Sequence, residues 1–178
     1  MALKLFYSGP SLNVLHDEYA ALGRVDPRAQ AVSSSSLVVG APVERVWEVM
    51  ADLASWPSWA SGLEIVELGD VRPGAPFRWR LNGVAIRSRF AVVTAGRELT
   101  WTGVFLGYKA VDRHVLEPLE DGRTRVTVEE SLAGPLLPLF YGERKLRANH
   151  ERWLSGLKSA VETARAPDRR PSPQTSKP

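Results

Sequence analysis

Asp112 and His114 stand two residues apart in a run whose pattern suits a strand, so both side chains leave the same face of it. Imidazole titrates near neutrality, and a neighbouring carboxylate sets its tautomer and basicity, so the pair suits general acid–base work. The structural alternative is a histidine hydrogen-bonded at the rim of a sheet. Three further candidates belong to the same chemistry. Glu129, adjacent to Glu130, lies on a later strand-like run, and only one of the two can share the face of His114. Glu143 and His150 lie seven residues apart on the apolar stripe of a terminal helix, where one reading aims them into a cavity opposite the sheet. Their alternatives are an i,i+4 ion pair of Glu143 with Arg147 and a histidine at the edge of the stripe.

The elements that must position these groups lie between Phe77 and Leu116, where four strand-like runs are joined by Asn82-Gly83, Ala95-Gly96 and Leu106-Gly107. Asn-Gly is the strongest short hairpin signal, because both residues accept the positive φ of a type I′ turn. Taken as two-residue hairpins, the turns pair Leu81 with Val84, Trp79 with Ile86 and Phe77 with Ser88. They then pair Val92 with Leu99, Phe90 with Trp101 and Ile86 with Phe105, and finally Phe105 with Tyr108, Trp101 with Asp112 and Leu99 with His114. Opposite residues share a face. One face therefore gathers Trp79, Ile86, Phe90, Trp101, Phe105 and Tyr108 with Asp112 and His114. The other gathers Arg78, Arg80, Arg87, Arg89, Thr100 and Thr102, which reads as a solvated surface. Phe140 and Trp153 join the apolar set from the terminal segment. These rings are either core or the lining of a site for a flat aromatic or polyene ligand.

The last strand, about Thr124 to Leu132, leaves its register open. A two-residue Asp121-Gly122 turn sets His114 opposite Glu129 and turns Glu129 inward, the slightly favoured reading. Apolar alternation instead sends Val126, Val128 and Glu130 inward, and a longer loop shifts the register by one. Elsewhere, Ala31–Gly40 and Leu63–Leu68 read as strands. A helix opens at Pro42 with Val43, Val46, Trp47 and Met50 on its stripe, and Asp52–Trp59 reads as a second short helix capped by Ser55. The long terminal helix is expected from Gly134-Pro135 to about Ala164, with Leu139, Leu146, Trp153, Leu157 and Val161 in period.

Residues 1–30 form an N-terminal extension with a possible short helix capped by Ser11 and stopped at Gly23. It either docks on the main domain (residues 31–165) or binds a partner. Residues 166–178 read as a disordered basic, Pro-rich tail. The order is strand, two short helices, six antiparallel strands and a long helix. An α+β fold in which the sheet curls around that helix is the simple solution.

Among 178 residues there is no cysteine and there are three histidines, which leaves little for a metal site. The chain is basic only at its end: without the four Lys/Arg and one Asp from Arg165 onward, 19 basic and 19 acidic residues remain. Nucleic acid and membrane insertion are therefore not expected partners. One lysine and no long apolar core at the N-terminus, and no run near the ~20 apolar residues of a span, lead to the expectation of a cytoplasmic protein. Phosphate loops, nucleophile elbows and nucleotide motifs are missing, so no cofactor is expected. Monomer and homodimer are both open.

Ala41-Pro42-Val43-Glu44-Arg45-Val46-Trp47, then Asp52 and Trp56-Pro57-Ser58-Trp59, resembles the opening of the polyketide cyclase/dehydrase-like proteins. These belong to the START-related (SRPBCC, birch-pollen-allergen-like) superfamily. The run from Leu116 to Thr127, Gly134-Pro135 and the terminal helix resemble that family's closing half. The resemblance spans roughly residues 31–165. It implies the helix-grip fold: a seven-stranded antiparallel sheet, two short helices between strands 1 and 2, and a long C-terminal helix over a deep cavity. It also implies a hydrophobic small-molecule ligand. One function is a cofactor-free cyclase, dehydratase or isomerase of secondary metabolism acting on a polyketide-like molecule, with His114, Asp112, Glu129, Glu143 and His150 moving protons. The alternatives are a carrier of lipid, quinone or aromatic metabolite, and a protein-interaction module. Cyclase-like relatives often carry an arginine inside the cavity, and here the register leaves all four sheet arginines outside.

Overall fold

The computed structural model of the chain describes residues 5–163; the tail read at 166–178 and the helix end expected near Ala164 lie outside them. Helical structure begins with α1 (Leu12–Val14), continues through a π-helical turn (Leu15–Tyr19) and ends in a 3₁₀ turn (Ala20–Leu22). Ser11 caps it, accepting from the Val14 amide at 3.3 Å, and Gly23 stops it in the left-handed conformation. Then come β1 (Ala31–Val39), α2 (Val43–Ala51), a 3₁₀ turn (Leu53–Ser58), β2 (Leu63–Leu68), β3 (Pro76–Leu81), β4 (Val84–Thr94), β5 (Glu98–Phe105), β6 (Tyr108–Pro118), β7 (Thr124–Ala133), a 3₁₀ turn (Leu137–Leu139) and α3 (Glu143–Thr163).

All seven strands form one sheet in the order β1-β7-β6-β5-β4-β3-β2, with every pairing antiparallel. α3 crosses its concave side and lies chiefly on β1. Leu154, Leu157 and Val161 enter one core with Val46, Met50, Leu53, Trp56, Phe77, Phe90, Leu99, Trp101, Val126 and Val128. Each such side chain contributes roughly 1.5–3 kcal/mol by leaving water. This is the helix-grip architecture. No described helix is long and apolar enough to cross a membrane.

The first and third hairpins carry the expected pairings throughout, from Leu81↔Val84 to Phe77↔Ser88 and from Phe105↔Tyr108 to Leu99↔His114. The second differs. Thr94 pairs with Glu98 across a three-residue turn, and the register shifts between Phe90 and Val92. Leu99 therefore faces Val93 rather than Val92. The longer turn and the bulge cancel, so Phe90 still faces Trp101. The bulge also turns Ala91 outward against Leu15, Ala20 and Val111.

Three further expectations are corrected. The β6–β7 loop is five residues long, closed by a hydrogen bond from the Leu119 amide to the Arg123 carbonyl. His114 thus faces Val128, and Asp112 faces Glu130. Glu130, not Glu129, is inward, as apolar alternation requires. α3 begins at Glu143 rather than at Gly134-Pro135, because the chain first makes a 3₁₀ turn through Leu137–Leu139; Leu139 is exposed. The convex face is solvated only over β2–β4, where Arg78 and Arg80 pair with Glu67 and Glu64. Farther along, Thr100 and Thr102 are fully buried. The N-terminal segment lies on them: His16 Nδ1 bonds Thr102 Oγ1 at 3.1 Å, Lys109 donates to the carbonyls of Gly9 and Pro10, and the Asp26 amide donates to Ser131 Oγ at 3.0 Å.

Candidate functional site

Cross-strand pairing builds a row across the concave face: Ser33 on β1, Glu130 on β7, Asp112 on β6, Trp101 on β5 and Phe90 on β4. Directly opposed residues share a face, so these side chains stand side by side under α3. The next row holds His114 between Val128 and Leu99.

His114 is 3% exposed and ringed by indoles. Its centroid lies 4.8 Å from that of Trp101, 4.3 Å from Trp153 at right angles, and 6.4 Å from Trp56 in a stacked orientation. Its Nε2 lies 2.8 Å from Asp112 Oδ1. A carboxylate only accepts, so in the neutral ring this contact puts the proton on Nε2 and leaves Nδ1 as the acceptor. No described group bonds that Nδ1.

His150 on α3 repeats the arrangement. Its Nε2 lies 3.0 Å from Glu130 Oε2, it is 4% exposed, and its Nδ1 has no hydrogen-bond partner among the described residues. Two histidine–carboxylate pairs therefore meet through the neighbouring carboxylates Asp112 and Glu130. Burial pushes the Glu130 carboxyl up to about 7 and the charge of Asp112 adds to this, while the bond to His150 and its charge pull the other way. Burial works to lower the His150 pKa, but its bond to Glu130 and the charges of Glu130 and Asp112 outweigh burial and raise it. Tyr141 is pushed up to about 12 by burial and by the charge of Glu130, so its phenol stays a proton donor. It accepts a 2.7 Å bond from Asn149 Nδ2.

Asp112 and Glu130 keep about a sixth of their side-chain surface exposed. The middle of the grip is filled by rings. Trp56 packs at 5.8 Å on Trp101, 5.6 Å on Trp153 and 5.9 Å on Trp59, and Phe77 stacks on Phe90 at 4.4 Å. Two surface depressions lie elsewhere among the described residues. One of about 470 Å³ lies between Trp59 and α3, and one of about 770 Å³ runs along Glu18–Pro27 beside Glu129.

Of the residues singled out from sequence, His114, Asp112 and His150 come together here. Glu129 does not: it points to the convex face and binds Arg113 at 2.7 Å, because the five-residue loop shifts β7 by one. Glu143 does not either. It is the first residue of α3 and exposed, since the helix starts later than its apolar period suggests. Trp79, Ile86, Phe90 and Trp101 lie on the buried concave face, and Phe105, Tyr108 and Trp153 are half-buried. Phe140 is half exposed and meets only the edge of this set, packing against Tyr108 at 5.9 Å.

Sequence reasoning missed Ser33, whose hydroxyl is buried with no hydrogen-bond partner among the described residues. It also missed Trp56 as a wall, and Tyr141. Alternation along Ala31, Ser33, Ser35 and Leu37 is the signal that finds Ser33. Tyr141 has none, because it precedes the helix. Among the described residues no group of three or more His, Asp or Glu is arranged to hold a metal ion.

The fold has close company. A hypothetical protein of Helicobacter pylori superposes with a TM-score of 0.66 at 14% identity, covering 76% of this chain and 90% of its own. A START superfamily protein of Mycobacterium smegmatis gives 0.59 at 17% identity, covering 75% and 98%. The Zhui aromatase/cyclase of a Streptomyces species gives 0.58 at 17% identity, covering 76% and 96%. No functionally curated protein matches the chain. The sequence model of one family, described as polyketide cyclase/dehydrase and lipid transport, matches residues 30–162. With three-quarters of its length under that match and the helix-grip architecture beneath it, the chain belongs to the polyketide cyclase/dehydrase and lipid transport family.

Proposed function

We propose that the chain binds a hydrophobic, polyketide-like or aromatic molecule at the open end of the grip and cyclises or dehydrates it without a cofactor. The observation that carries this reading is the meeting of two histidine–carboxylate pairs, each with an unbonded ring nitrogen, at the edge of an aromatic interior. Buried carboxylates destabilise a fold unless they are compensated. A carrier that only keeps its cargo from water has no use for two carboxylates and two imidazoles in one place, whereas proton transfer uses them.

The chemistry suits a poly-carbonyl chain. A bare Nδ1 takes the proton from a carbon flanked by two carbonyls. The resulting enolate carbon attacks a second carbonyl of the same molecule, and the new alkoxide takes a proton from the Glu130–His150 pair. Loss of that hydroxyl as water, with a further ring proton, gives the unsaturated ring. Glu130, held near 7, can give or take a proton at neutral pH with little driving force wasted. The rings of Trp153, Phe105 and Tyr108 are half-buried and must part to admit the substrate.

The test is incubation of the purified chain with a poly-β-ketone thioester mimic, with native mass spectrometry to identify any ligand that copurifies. His114→Ala and Asp112→Ala should each lower cyclisation on the order of a hundredfold or more. Turnover that survives both substitutions defeats the proton-transfer role.

A further inference from the structure

Two turns of the sheet are built alike and filled differently. Asn82-Gly83 (φ 49 and 81) and Leu106-Gly107 (φ 48 and 84) are both two-residue hairpins with two left-handed residues. Asn tolerates that conformation, while for leucine it costs about 1–2 kcal/mol. Leu106 does not recover the cost by packing, since 82% of it is exposed. Leu136, also left-handed (φ 59), is 43% exposed. Among the described residues, three positions other than glycine have positive φ, and two of them are these outward leucines. Strain without internal compensation implies contact with something outside the fold.

The leucines are not isolated. The Leu136 amide donates to the Leu5 carbonyl at 2.7 Å, which sets Phe6, 82% exposed, beside it. Leu139 (64% exposed) and Phe140 (52%) follow Leu136 in the chain. Phe140 lies edge-on to Tyr108, two residues from Leu106. Three separate segments thus raise five large apolar side chains at one end of the molecule. Arg144, Lys145 and Arg147, all exposed, begin α3 beside them, and Lys145 Nζ caps the Phe140 carbonyl at 2.8 Å. Apolar tips that project beside a cluster of cations match the boundary between acyl chains and anionic headgroups.

We propose that this end docks on an anionic lipid surface, with Leu106, Leu136, Leu139 and Phe140 entering the headgroup boundary and the three cations on the phosphates. Tyr108 and Phe105, at the base of the Leu106 turn, belong to the concave face, so a hydrophobic ligand can pass between bilayer and grip without crossing water. The docking stands whether or not the site turns its ligand over.

The experiment is co-sedimentation of the full chain with vesicles of phosphatidylglycerol and phosphatidylcholine in equal parts, compared with phosphatidylcholine alone. Wild type should bind the anionic vesicles more tightly and lose binding as salt rises. Leu106→Asn with Leu136→Asn should raise the melting temperature, because asparagine accepts the left-handed backbone, and weaken vesicle binding at least about tenfold. That opposite pairing separates a docking defect from a folding defect. Three results overturn the proposal: no vesicle binding by wild type, binding that survives the two substitutions undiminished and so does not use the left-handed leucines, or a wild-type dimer that the substitutions convert to monomer. Loss of a copurifying acidic protein in place of lipid binding would likewise assign the end to a protein partner.

Discussion

Strands β5, β6 and β7 carry a buried polar cluster on each side of the sheet, and the two are finished differently. On the convex side Arg113 donates to both oxygens of Glu98, at 3.0 and 3.1 Å, and to Glu129 at 2.7 Å. Thr100 donates to Glu98, and Thr102 meets His16. Each of these groups has an opposite charge or a hydrogen bond, and the N-terminal segment closes over much of the cluster. On the concave side two carboxylates stand next to each other, neither bonded to a guanidinium among the described residues, and both histidines and Ser33 keep an atom that no described residue bonds. The contrast separates a polar cluster that holds a fold together from one held ready for a proton or a ligand. It supports the proposed placement of the chemistry on the concave side without reference to any relative.

The largest effect should come from breaking the satisfied side. Arg113→Ala strands Glu98 and Glu129 beneath or beside the N-terminal segment, and leaving partly buried charges without their partner costs about 3 kcal/mol. Urea denaturation should show the lower midpoint, and the concave site of the remaining folded protein should keep its activity. A variant that folds as well as wild type but fails to turn over substrate would reverse the assignment of the two clusters.

On the concave side the sign is opposite. Glu130 has a folded pKa of about 7, above its ordinary value of 4.5. The folded state therefore binds more protons than the unfolded one between those values, and stability falls as pH rises through that window. His150, also raised, contributes stability that is present below its ordinary value of 6.5 and is lost as pH rises through its higher folded value. The unfolding free energy from denaturation should drop between about pH 5 and 7 by an amount on the order of 2 kcal/mol. Glu130→Gln, which cannot ionise but still accepts from His150, should flatten most of that slope and lower turnover. A slope unchanged in this variant would remove Glu130 from the centre of the cluster.

How much of this contrast is legible in the sequence depends on which interactions fix it. Turn chemistry is local, so Asn82-Gly83 and Leu106-Gly107 give the pairing of Trp79 with Ile86 and of Leu99 with His114, and with it the concave position of Asp112. The parity of β7 depends on a loop whose five residues are closed by a backbone bond that no residue type announces, so Glu129 and Glu130 exchange faces. The indole wall around His114 joins a strand, a 3₁₀ turn and a helix far apart in sequence, and its geometry follows from the way α3 crosses the sheet. Thr100 and Thr102 look solvent-facing by alternation alone. They are buried because the first 30 residues add a layer that periodicity within the sheet cannot reveal.

That added layer gives the smallest and cleanest test of the comparison. His16 is 7% exposed, bonded to Thr102, and its pKa is lowered first by burial and then by the charge of Arg89, with Asp17 opposing. A histidine held below its ordinary value is protonated more readily in the unfolded chain, so stability falls as pH drops through 6.5. The convex side therefore weakens on acidification while the concave side strengthens. His16→Gln keeps a side chain able to bond Thr102 but cannot be charged. It should remove the acid-side loss, at an expense on the order of 1 kcal/mol at neutral pH for the altered bond. Amide hydrogen exchange localises the effect: residues 11–25 of wild type should exchange faster at pH 5 than at pH 7 after correction for intrinsic rates, and those of the variant should not. Faster exchange on β7 instead would mean that the two faces titrate as one unit, and the division between a closed and a poised cluster would not hold.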